Sequence, residues 1–450
     1  MNFNGHFRSE ASNFSSLGLG SGSNAVKQYI LARAMLQPNV VIDDHFSLKS
    51  QWSLLSSPNF TPVTSNGLWS GQGGYVFGDP SATYLTLNRA YLEWASDFGV
   101  LRMGRVPVSW GYGVVYDSGD QVWDDFQSAL DRVEYRLHLG HIIGGVAYSK
   151  GRKLSTLGNT SDQEFYTFYF QYDNPEAEVD AGIMYEKQAR ATAQSADLTG
   201  SANTGNPFNP YHMPTATSPA GADQPAYPLA TKTPYPLSNN FLDLYIKKTA
   251  GYFTFGGEIA WLSGDAVDYD GDGANGGTDT LNAYAALLTA SYEYHKVKAF
   301  IEFLYASGDD DLNGDHLNGF VVLNRNRGRS LILGKELLGL YHGPFVGYGS
   351  LMVYGNNDTV SGVYYLRPGF RVDWDESWST GVEAMIARKA VVAPGDNANL
   401  GVELDLGVTY GVYRNFDLGA NVALLFPGLG LRVADPKTAF ALRTTAVIKF

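Results

Sequence analysis

A two-residue alternation of apolar and polar side chains recurs along almost the whole chain, one strand length at a time. In the stretch LGVELDLGVTY, for example, Leu400, Val402 and Leu404 alternate with Glu403 and Asp405. This period places alternate side chains on opposite faces of a β-strand. A tilted strand needs roughly 10 residues to cross a bilayer. The alternation therefore predicts strands with one apolar and one polar face, of a length that fits a membrane.

The last residues, FALRTTAVIKF, form such a strand and end on an aromatic side chain, Phe450. Phe440, Leu442 and Ile448 share a face with Phe450, whereas the charged residues occupy the other face. An unpaired strand edge is costly in lipid, because its backbone groups find no water there. We therefore predict that the last strand pairs with the first one, at 2–14, and closes a barrel.

The connections between the predicted strands alternate between short turns and long links. Short turns followed by long loops on the opposite side are typical of outer-membrane barrels. The pattern predicts an all-β fold, a transmembrane antiparallel up-and-down β-barrel of ~18 strands. The count falls to ~16 if the stretch 320–357 contributes no strand, with GRSLILGKELLGLY as a loop or short helix. The long links are expected at about 58–82, 112–126, 189–236, 265–279 and 307–343.

Composition excludes several other classes of protein. The chain has no run of about 20 uncharged apolar residues, which argues against a helical membrane protein. It contains no His-Glu-x-x-His motif, nucleophile elbow or P-loop, so we predict no enzyme activity. The net charge of −13 and the lack of a basic stripe argue against binding to nucleic acid. A soluble β-sandwich also alternates, but it seldom carries so many strands with Tyr and Phe on the outer side.

The start of the chain and its lack of cysteine bear on location. Polar residues follow Met1 at once, a pattern that does not predict an export signal at this position. We expect a mature chain from which the signal was removed and to which Met1 was added. The absence of cysteine suits an oxidising envelope compartment. Together with the predicted barrel, these features predict a bacterial outer-membrane protein in contact with membrane lipid and lipopolysaccharide.

One stretch resembles a known family. RAYLEWASDFGVLRMGRVPVSWGYGVVYDSGD, from Arg89 to Asp120, followed by DRVEYRL, is similar to alginate-export-type porins and related outer-membrane porins of delta-proteobacteria. In that family an acidic-aromatic strand turns into a "GR" strand that ends in W/F-G-x-G before a loop. YYLRPGFRVDW and GVELDLGVTYGVYRNFDLGANVALLFPG also resemble the family's last strands. The resemblance implies an 18-stranded pore for passive passage of a hydrophilic solute, but it does not indicate which solute passes.

The polar face of the predicted strands should line the lumen. Arginines with interspersed carboxylates there could form the transverse field of a porin constriction or a path for an anionic solute. They could also pair across neighbouring strands and stiffen the wall, and the two roles are compatible. Arg105 joins the set if Pro107 marks a bulge that shifts the register. The predicted pore-lining residues are otherwise Arg89, Glu93, Arg102, Arg132, Glu134, Arg136, Lys247, Glu302, Arg367, Arg371 and Glu383.

The longest link, at 189–239 of the single predicted domain 1–450, is rich in proline. It holds eight of the 19 prolines and few charges. Proline at that density resists strand pairing, so the segment is not expected to be barrel wall. This proline-rich link has two possible roles. The link folds into the pore as a constriction or plug, or it forms an external cap that faces a partner.

Two acidic links have the spacing of calcium loops. In DYDGDGANGGTD, carboxylates at the first, third and fifth positions precede a glycine at the sixth, the arrangement that wraps a hard cation. DDDLNGD repeats the start of this pattern. Solvated turns with the same composition are the alternative, and no other cofactor is expected. The candidate Ca²⁺ ligands are Asp268, Asp270, Asp272 and Asp279 in the first link, and Asp309, Asp311, Asn313 and Asp315 in the second.

The function predicted from the sequence is that of an outer-membrane porin for diffusion or export of small hydrophilic solutes, with anionic solutes as one option. The alternative is a barrel with a plugged lumen that serves as a scaffold or sheath for a lipoprotein, a surface assembly, an electron-transfer protein or further copies of itself. Since the chain has no cysteine, any haem in such an assembly would belong to the partner. A porin predicts a lumen with opposed charges that is open to ions, whereas a scaffold predicts a filled one.

Overall fold

Eighteen long strands and two two-residue strands form one sheet in the computed structural model of the chain. It describes residues 2–16, 27–56, 75–76, 83–124, 127–150, 163–190, 237–267, 278–308, 316–320, 330–334, 361–392, 395, 397–431 and 436–450. The strands are β1 (Asn2–Ser15), β2 (Lys27–Val41), β3 (Phe46–Ser56), β4 (Tyr75–Val76), β5 (Thr83–Ser96), β6 (Gly99–Pro107), β7 (Ala129–Leu139), β8 (Ile142–Lys150), β9 (Gln163–Asn174), β10 (Val179–Arg190), β11 (Leu237–Ala250), β12 (Phe253–Val267), β13 (Thr278–Tyr294), β14 (Val297–Ala306), β15 (His316–Leu317), β16 (Ser361–Asp373), β17 (Trp378–Val391), β18 (Asn399–Tyr413), β19 (Phe416–Pro427) and β20 (Ala439–Lys449).

The sheet closes on itself through its first and last strands. Each long strand pairs antiparallel with the next one, and β20 pairs antiparallel with β1 from His6–Lys449 to Ser15–Phe440. Beyond β20, Gly5 and Phe450 exchange two backbone hydrogen bonds of 2.8 and 3.0 Å. The terminal aromatic residue therefore completes the seam of the barrel. This confirms the predicted closed 18-stranded barrel and rules out the count of 16.

The two ends of the barrel differ as the sequence predicts. Eight short turns lie at one end, together with both chain termini, and we call this end the turn rim. The Asp43 carboxylate accepts the amides of His45 and Phe46, and these bonds hold the pKa of that carboxyl below its ordinary value. The strand ends that the long links join lie at the opposite end, which we call the link rim. The turns are 42–45, 97–98, 140–141, 175–178, 251–252, 295–296, 374–377 and 414–415.

The outward face of the barrel is apolar and the inward face is polar. Large apolar side chains stand exposed around the outer wall, where a soluble barrel would carry polar ones. In water such a surface would be costly, whereas in a bilayer it meets hydrocarbon. The outward side chains include Phe168, Phe170, Ile183, Leu244, Ile246, Ile259, Leu288, Val382 and Leu406.

The structure moves several predicted boundaries. Strand β10 reaches Arg190 and β11 begins at Leu237, so both ends of the predicted 189–239 link are barrel wall, and 191–236 lies outside the described residues. The link expected at 112–126 runs from 108 to 128. Within GRSLILGKELLGLY the described residues 330–334 form a buried turn. No described helix is long and apolar enough to cross a membrane.

Candidate functional site

The described part of the link between β6 and β7 folds into the lumen, and we call these residues, 108–124 and 127–128, the inner segment. The backbone amide of Val108 donates to the carbonyl of Ser128 (2.9 Å), and the backbone amide of Trp110 donates to the carbonyl of Tyr116 (3.1 Å). The first of these bonds joins the two ends of the segment. Trp110, Val114, Val115 and Tyr116 are all buried. A loop at the mouth of a barrel would be exposed on most sides. The burial of these side chains shows that the inner segment packs against the inner wall.

One end of the inner segment is bound by carboxylates of the wall. Glu258 on β12 accepts the backbone amides of Tyr112 (2.5 Å) and Val114 (3.0 Å), one with each carboxylate oxygen. On β10, Glu186 accepts the Tyr116 hydroxyl at 2.7 Å. Hydrogen bonds to a charged acceptor are about twice as strong as neutral ones. The wall carboxylates therefore fix the backbone of this end.

Glycines make this approach sterically feasible. Gly111 and Gly113 have φ values of +53° and +74°, which a residue with a side chain rarely adopts. On the wall, a Cβ at Gly182 would lie 2.8 Å from the Trp110 ring, and one at Gly256 would overlap the Tyr112 hydroxyl. Wall glycines therefore form a recess for the two aromatic side chains.

The other end of the inner segment is bound by arginines from the opposite side. Arg8 Nη1 donates to the Val122 carbonyl at 2.6 Å, and Arg89 Nη1 donates to the Ser118 carbonyl at 3.2 Å. Arg89 also forms an ion pair with Asp120. The guanidinium groups of Arg8 and Arg443 lie 5.6 and 5.8 Å from the Trp123 ring centroid. The inner segment therefore extends across the lumen from β12 to β1.

A second stretch, residues 330–334, lies against the wall between β17 and β18. Glu403 accepts the amide of Ile332 at 2.7 Å and also that of Leu333, again one with each carboxylate oxygen. The amide of Leu331 donates to Asp405 at 3.4 Å. All of 330–334 is buried. A second wall carboxylate thus holds a second piece of backbone in the same manner as Glu258.

Arginines dominate the inward face of one half of the wall, which we call the arginine half: β20, β1, β2, β3, β5, β6 and β7. Glu134 lies at its centre and contacts Arg102 (3.0 Å), Arg136 (3.3 Å) and Arg132 (3.6 Å). One carboxylate cannot neutralise three guanidinium groups. The inward arginines of this half are Arg8, Arg33, Arg89, Arg102, Arg132, Arg136 and Arg443, and its inward carboxylates on described strand residues are Glu10, Glu93 and Glu134.

Carboxylates dominate the other half, which we call the carboxylate half: β10, β11, β12, β13, β14, β16, β17 and β18. Arg367 bridges Glu302 (3.4 Å) and Glu383 (3.6 Å), and the Tyr365 hydroxyl also donates to Glu302 at 2.8 Å. The inward carboxylates on the described strand residues of this half are Asp180, Glu186, Asp243, Glu258, Glu293, Glu302, Asp373, Glu383, Glu403 and Asp405, beside the cations Lys247, Lys298, Arg367, Arg371 and Lys389.

The pairing register places the sequence-predicted set on the inward face, with one exception. Arg136 and Arg371 keep 37% and 56% of their side chains exposed, and Glu383 keeps 28%. Arg105 instead shares the outward face with Met103 and pairs with Asp131 at 3.5 Å. The register from Gly99 to Pro107 is continuous, so the bulge on which its inward placement depended does not occur.

Sequence reasoning missed the anchors of the inner segment. It singled out W-G-x-G at Trp110–Gly113 as a family signature, and the structure gives that motif a role, because its glycines turn the chain toward Glu258. Alternation marks Glu258 and Glu403 as inward, but it cannot say which inward carboxylates accept amides. Those partners lie 146 and 71 residues away in the chain.

The acidic calcium-loop candidates fall almost wholly outside the described residues. Residues 268–277 and 309–315 are not described, and the backbone of Asp279 belongs to β13, where it pairs with Ala266. Among the residues that the structure describes, no group of three or more His, Asp or Glu side chains could hold a metal ion. Calcium binding by these links stays a prediction.

Comparisons with known proteins support the fold. No protein-family model matches the sequence, and no curated protein matches it. OccK9 (OpdG) of Pseudomonas aeruginosa has a TM-score of 0.54 at 12% identity, over 100% of this chain and 99% of that chain. A BenF-like porin from Pseudomonas fluorescens Pf-5 has 0.51 at 9%, over 100% and 98%. The outer membrane protein opdK of Pseudomonas aeruginosa has 0.50 at 7%, over 100% and 99%.

These likenesses extend over whole chains and concern the fold. None of the three is named as an alginate exporter, so they agree with the sequence resemblance at the level of an outer-membrane porin and no further. The closed barrel carries an apolar outer wall of the kind that contacts lipid. The protein is therefore a porin-like barrel of 18 long strands in a bacterial outer membrane.

Proposed function

We propose that the protein is a porin that conducts small hydrophilic anions through a lumen narrowed by the inner segment. The carrying observation is the excess of arginine over carboxylate on the arginine half. Guanidinium groups cannot lose their charge at neutral pH, so this half presents a persistent positive field. An anion that passes along it would exchange water for contact with the more exposed guanidinium groups, those of Arg136 and Arg443.

The carboxylates of the opposite half would not cancel this field at the site of passage. Glu258 and Glu403 are almost fully buried and accept backbone amides. A carboxylate covered by protein and hydrogen-bonded to amide groups offers little negative charge to a solute. Glu383, which is partly exposed, has Arg367 as its neighbour. The accessible part of the lumen is therefore expected to favour anions over cations.

A second candidate function rests on the two buried stretches in the lumen. If the inner segment and 330–334 together fill it, the barrel would act as a scaffold for a lipoprotein or another copy of itself. Arg136 and Arg371 argue against filling of the lumen near the turn rim, where water still reaches their side chains on the inward face. We therefore favour the porin.

Liposome swelling tests the proposal. Proteoliposomes that hold the purified chain would be diluted into isotonic solutions of arabinose, gluconate or a choline salt, and the swelling rate would be followed by light scattering. A porin with an anionic preference predicts swelling in arabinose and faster entry of gluconate than of choline. Swelling no faster than that of empty liposomes, with the barrel folded, would favour the scaffold.

A further inference from the structure

We infer that Glu258 and Glu403 are positioning residues which hold the two lumen stretches in place independently of each other. This inference deepens the proposed function, because the two stretches would set the width of the pore. Both residues project inward from the carboxylate half, one from β12 and one from β18. Each accepts two closely spaced backbone amides, one with each oxygen.

The geometry is that of an anion held in a concavity of backbone amides, with the wall carboxylate as the anion. Two amides from a short stretch of chain converge on one charged group, so one side chain fixes the position of that stretch. Gly111 and Gly113 supply the positive φ values that let Tyr112 and Val114 present their amides to Glu258. A Cβ at Gly111 would lie 2.6 Å from the Glu258 carboxylate, so the backbone approaches it closely.

The second anchor has its own supporting contacts. The Ser330 hydroxyl accepts the Gly334 amide at 2.7 Å, which closes the turn that presents Ile332 and Leu333 to Glu403. Asp405, two residues further along β18, accepts the Leu331 amide. None of these contacts involves the inner segment. These hydrogen bonds of Glu403 and Glu258 therefore have no partner in common. Mutations at sites without shared partners are expected to have additive effects on free energy.

The inner segment is also attached to the arginine half. Arg8 and Arg89 hold its far end through the carbonyls of Val122 and Ser118. Loss of Glu258 should therefore free the near end, at residues 110–116, while the far end stays docked. Loss of Glu403 should free 330–334 and leave the inner segment in place.

Cysteine labelling tests this directly, because the chain contains no cysteine of its own. Val115→Cys and Ile332→Cys would each place one thiol at a position that is 0% exposed. Each probe would be combined with Glu258→Ala, Glu258→Gln, Glu403→Ala or Glu403→Gln. Glu293→Gln is the control, since Glu293 pairs with Lys298 on the inward face near the turn rim. Labelling by a water-soluble maleimide would be timed in folded barrels, with folding checked by heat-modifiable gel mobility.

We expect Glu258→Ala to speed labelling at position 115 by about tenfold or more, because two hydrogen bonds to a charged acceptor are lost. Position 332 should be unaffected. Glu403→Ala should give the reverse pattern. Each Gln variant should fall between, since Gln keeps one acceptor oxygen and the shape of Glu. The control should match the parent.

Protection of both probes in the Ala variants would overturn the inference, and so would release of both probes by either single variant. The outcome is separate from the proposed function, because labelling does not require conduction. A barrel that fails to swell liposomes but shows the crossed labelling pattern would refute the porin and keep the anchors. A conducting barrel with no change in labelling would do the opposite.

Discussion

The two halves of the inner wall use charge in different ways. On the arginine half, charged side chains contact each other along the wall, as Glu134 does with Arg102 and Arg136. On the carboxylate half, Glu258 and Glu403 accept hydrogen bonds from folded-in backbone. Both halves contain ion pairs along the wall, since Arg367 also pairs with Glu302 and Glu383. They differ in the groups that bind the folded-in backbone: arginine donors on the arginine half, and buried carboxylate acceptors on the carboxylate half.

The inner segment shows what this difference achieves. Its near end meets the carboxylate half with N–H groups, and its far end meets the arginine half with C=O groups of Ser118 and Val122. A peptide chain carries both donors and acceptors, so its backbone can bridge walls of opposite sign, and the ion pair between Asp120 and Arg89 adds to these backbone contacts. The division of charge between the halves therefore explains how a loop can lie across the lumen with backbone groups at both of its ends hydrogen-bonded to the wall.

The largest effect is expected from loss of a buried arginine. Arg8 is fully buried, contacts Glu10 at 2.7 Å and donates to Val122. Arg8→Ala should lower the free energy of unfolding by about 3 kcal/mol, because it leaves a buried carboxylate with one cation fewer. The urea midpoint of heat-modifiable gel mobility would measure it. Arg371→Ala, at an exposed pair, should change it by about 0.5 kcal/mol or less; equal losses would contradict the account.

A smaller effect is expected from filling the recess under the inner segment. Gly256→Ala places a methyl group where the Tyr112 hydroxyl lies, and overpacking of this kind costs about 1–3 kcal/mol. Tyr112 should leave the wall, and single-channel conductance should rise or become heterogeneous. Gly381→Ala is the matched control, because a Cβ there would lie 3.5 Å from its nearest neighbour. Identical conductance in the two variants would count against docking of Tyr112.

Charge removal on the two halves should act in opposite directions. Arg136→Gln removes a partly exposed cation from the arginine half, and Glu383→Gln removes a partly exposed carboxylate from the other. The reversal potential in a salt gradient should move toward cation preference in the first variant and toward anion preference in the second. Both shifts should shrink at high ionic strength, where screening is stronger. Shifts of the same sign would break the distinction between the halves.

The smallest effect is expected from calcium, which we propose as a ligand of the acidic link between β12 and β13. Ligand at about ten times its Kd stabilises the folded state by about 1.4 kcal/mol. The thermal midpoint should therefore rise slightly with millimolar calcium and fall again with chelator. Asp270→Asn should abolish the response, whereas Asp311→Asn separates the contribution of the second link. A midpoint that ignores calcium would reject the site.

The sequence predicts the barrel well because its wall obeys a short-range rule. Alternation around Glu403 and Asp405 fixes which side chains face inward, and the terminal Phe450 indicates a seam that must be closed. The turn at Asp43 is also local, since its carboxylate bonds to amides two and three residues on. Patterns of this kind need no knowledge of distant contacts.

The lumen is harder to predict, because its contacts join residues far apart in the chain. Nothing near Tyr112 in the sequence indicates that Glu258 receives its amide. The placement of Arg105 was equally hard to predict, because the face that it occupies depends on whether a bulge occurs in β6. The continuous register shows that no bulge occurs there, and Arg105 faces outward. The W-G-x-G motif was a visible signal, but its meaning required the position of β12.

Ion selectivity of single channels tests the central claim most directly. The purified barrel would be inserted into a planar bilayer under a potassium chloride gradient, and the zero-current potential would be read from resolved steps. Our account predicts steady ohmic steps with a reversal potential on the chloride side, reduced by Arg136→Gln. Inserted but silent barrels, or a reversal potential on the potassium side, would contradict it.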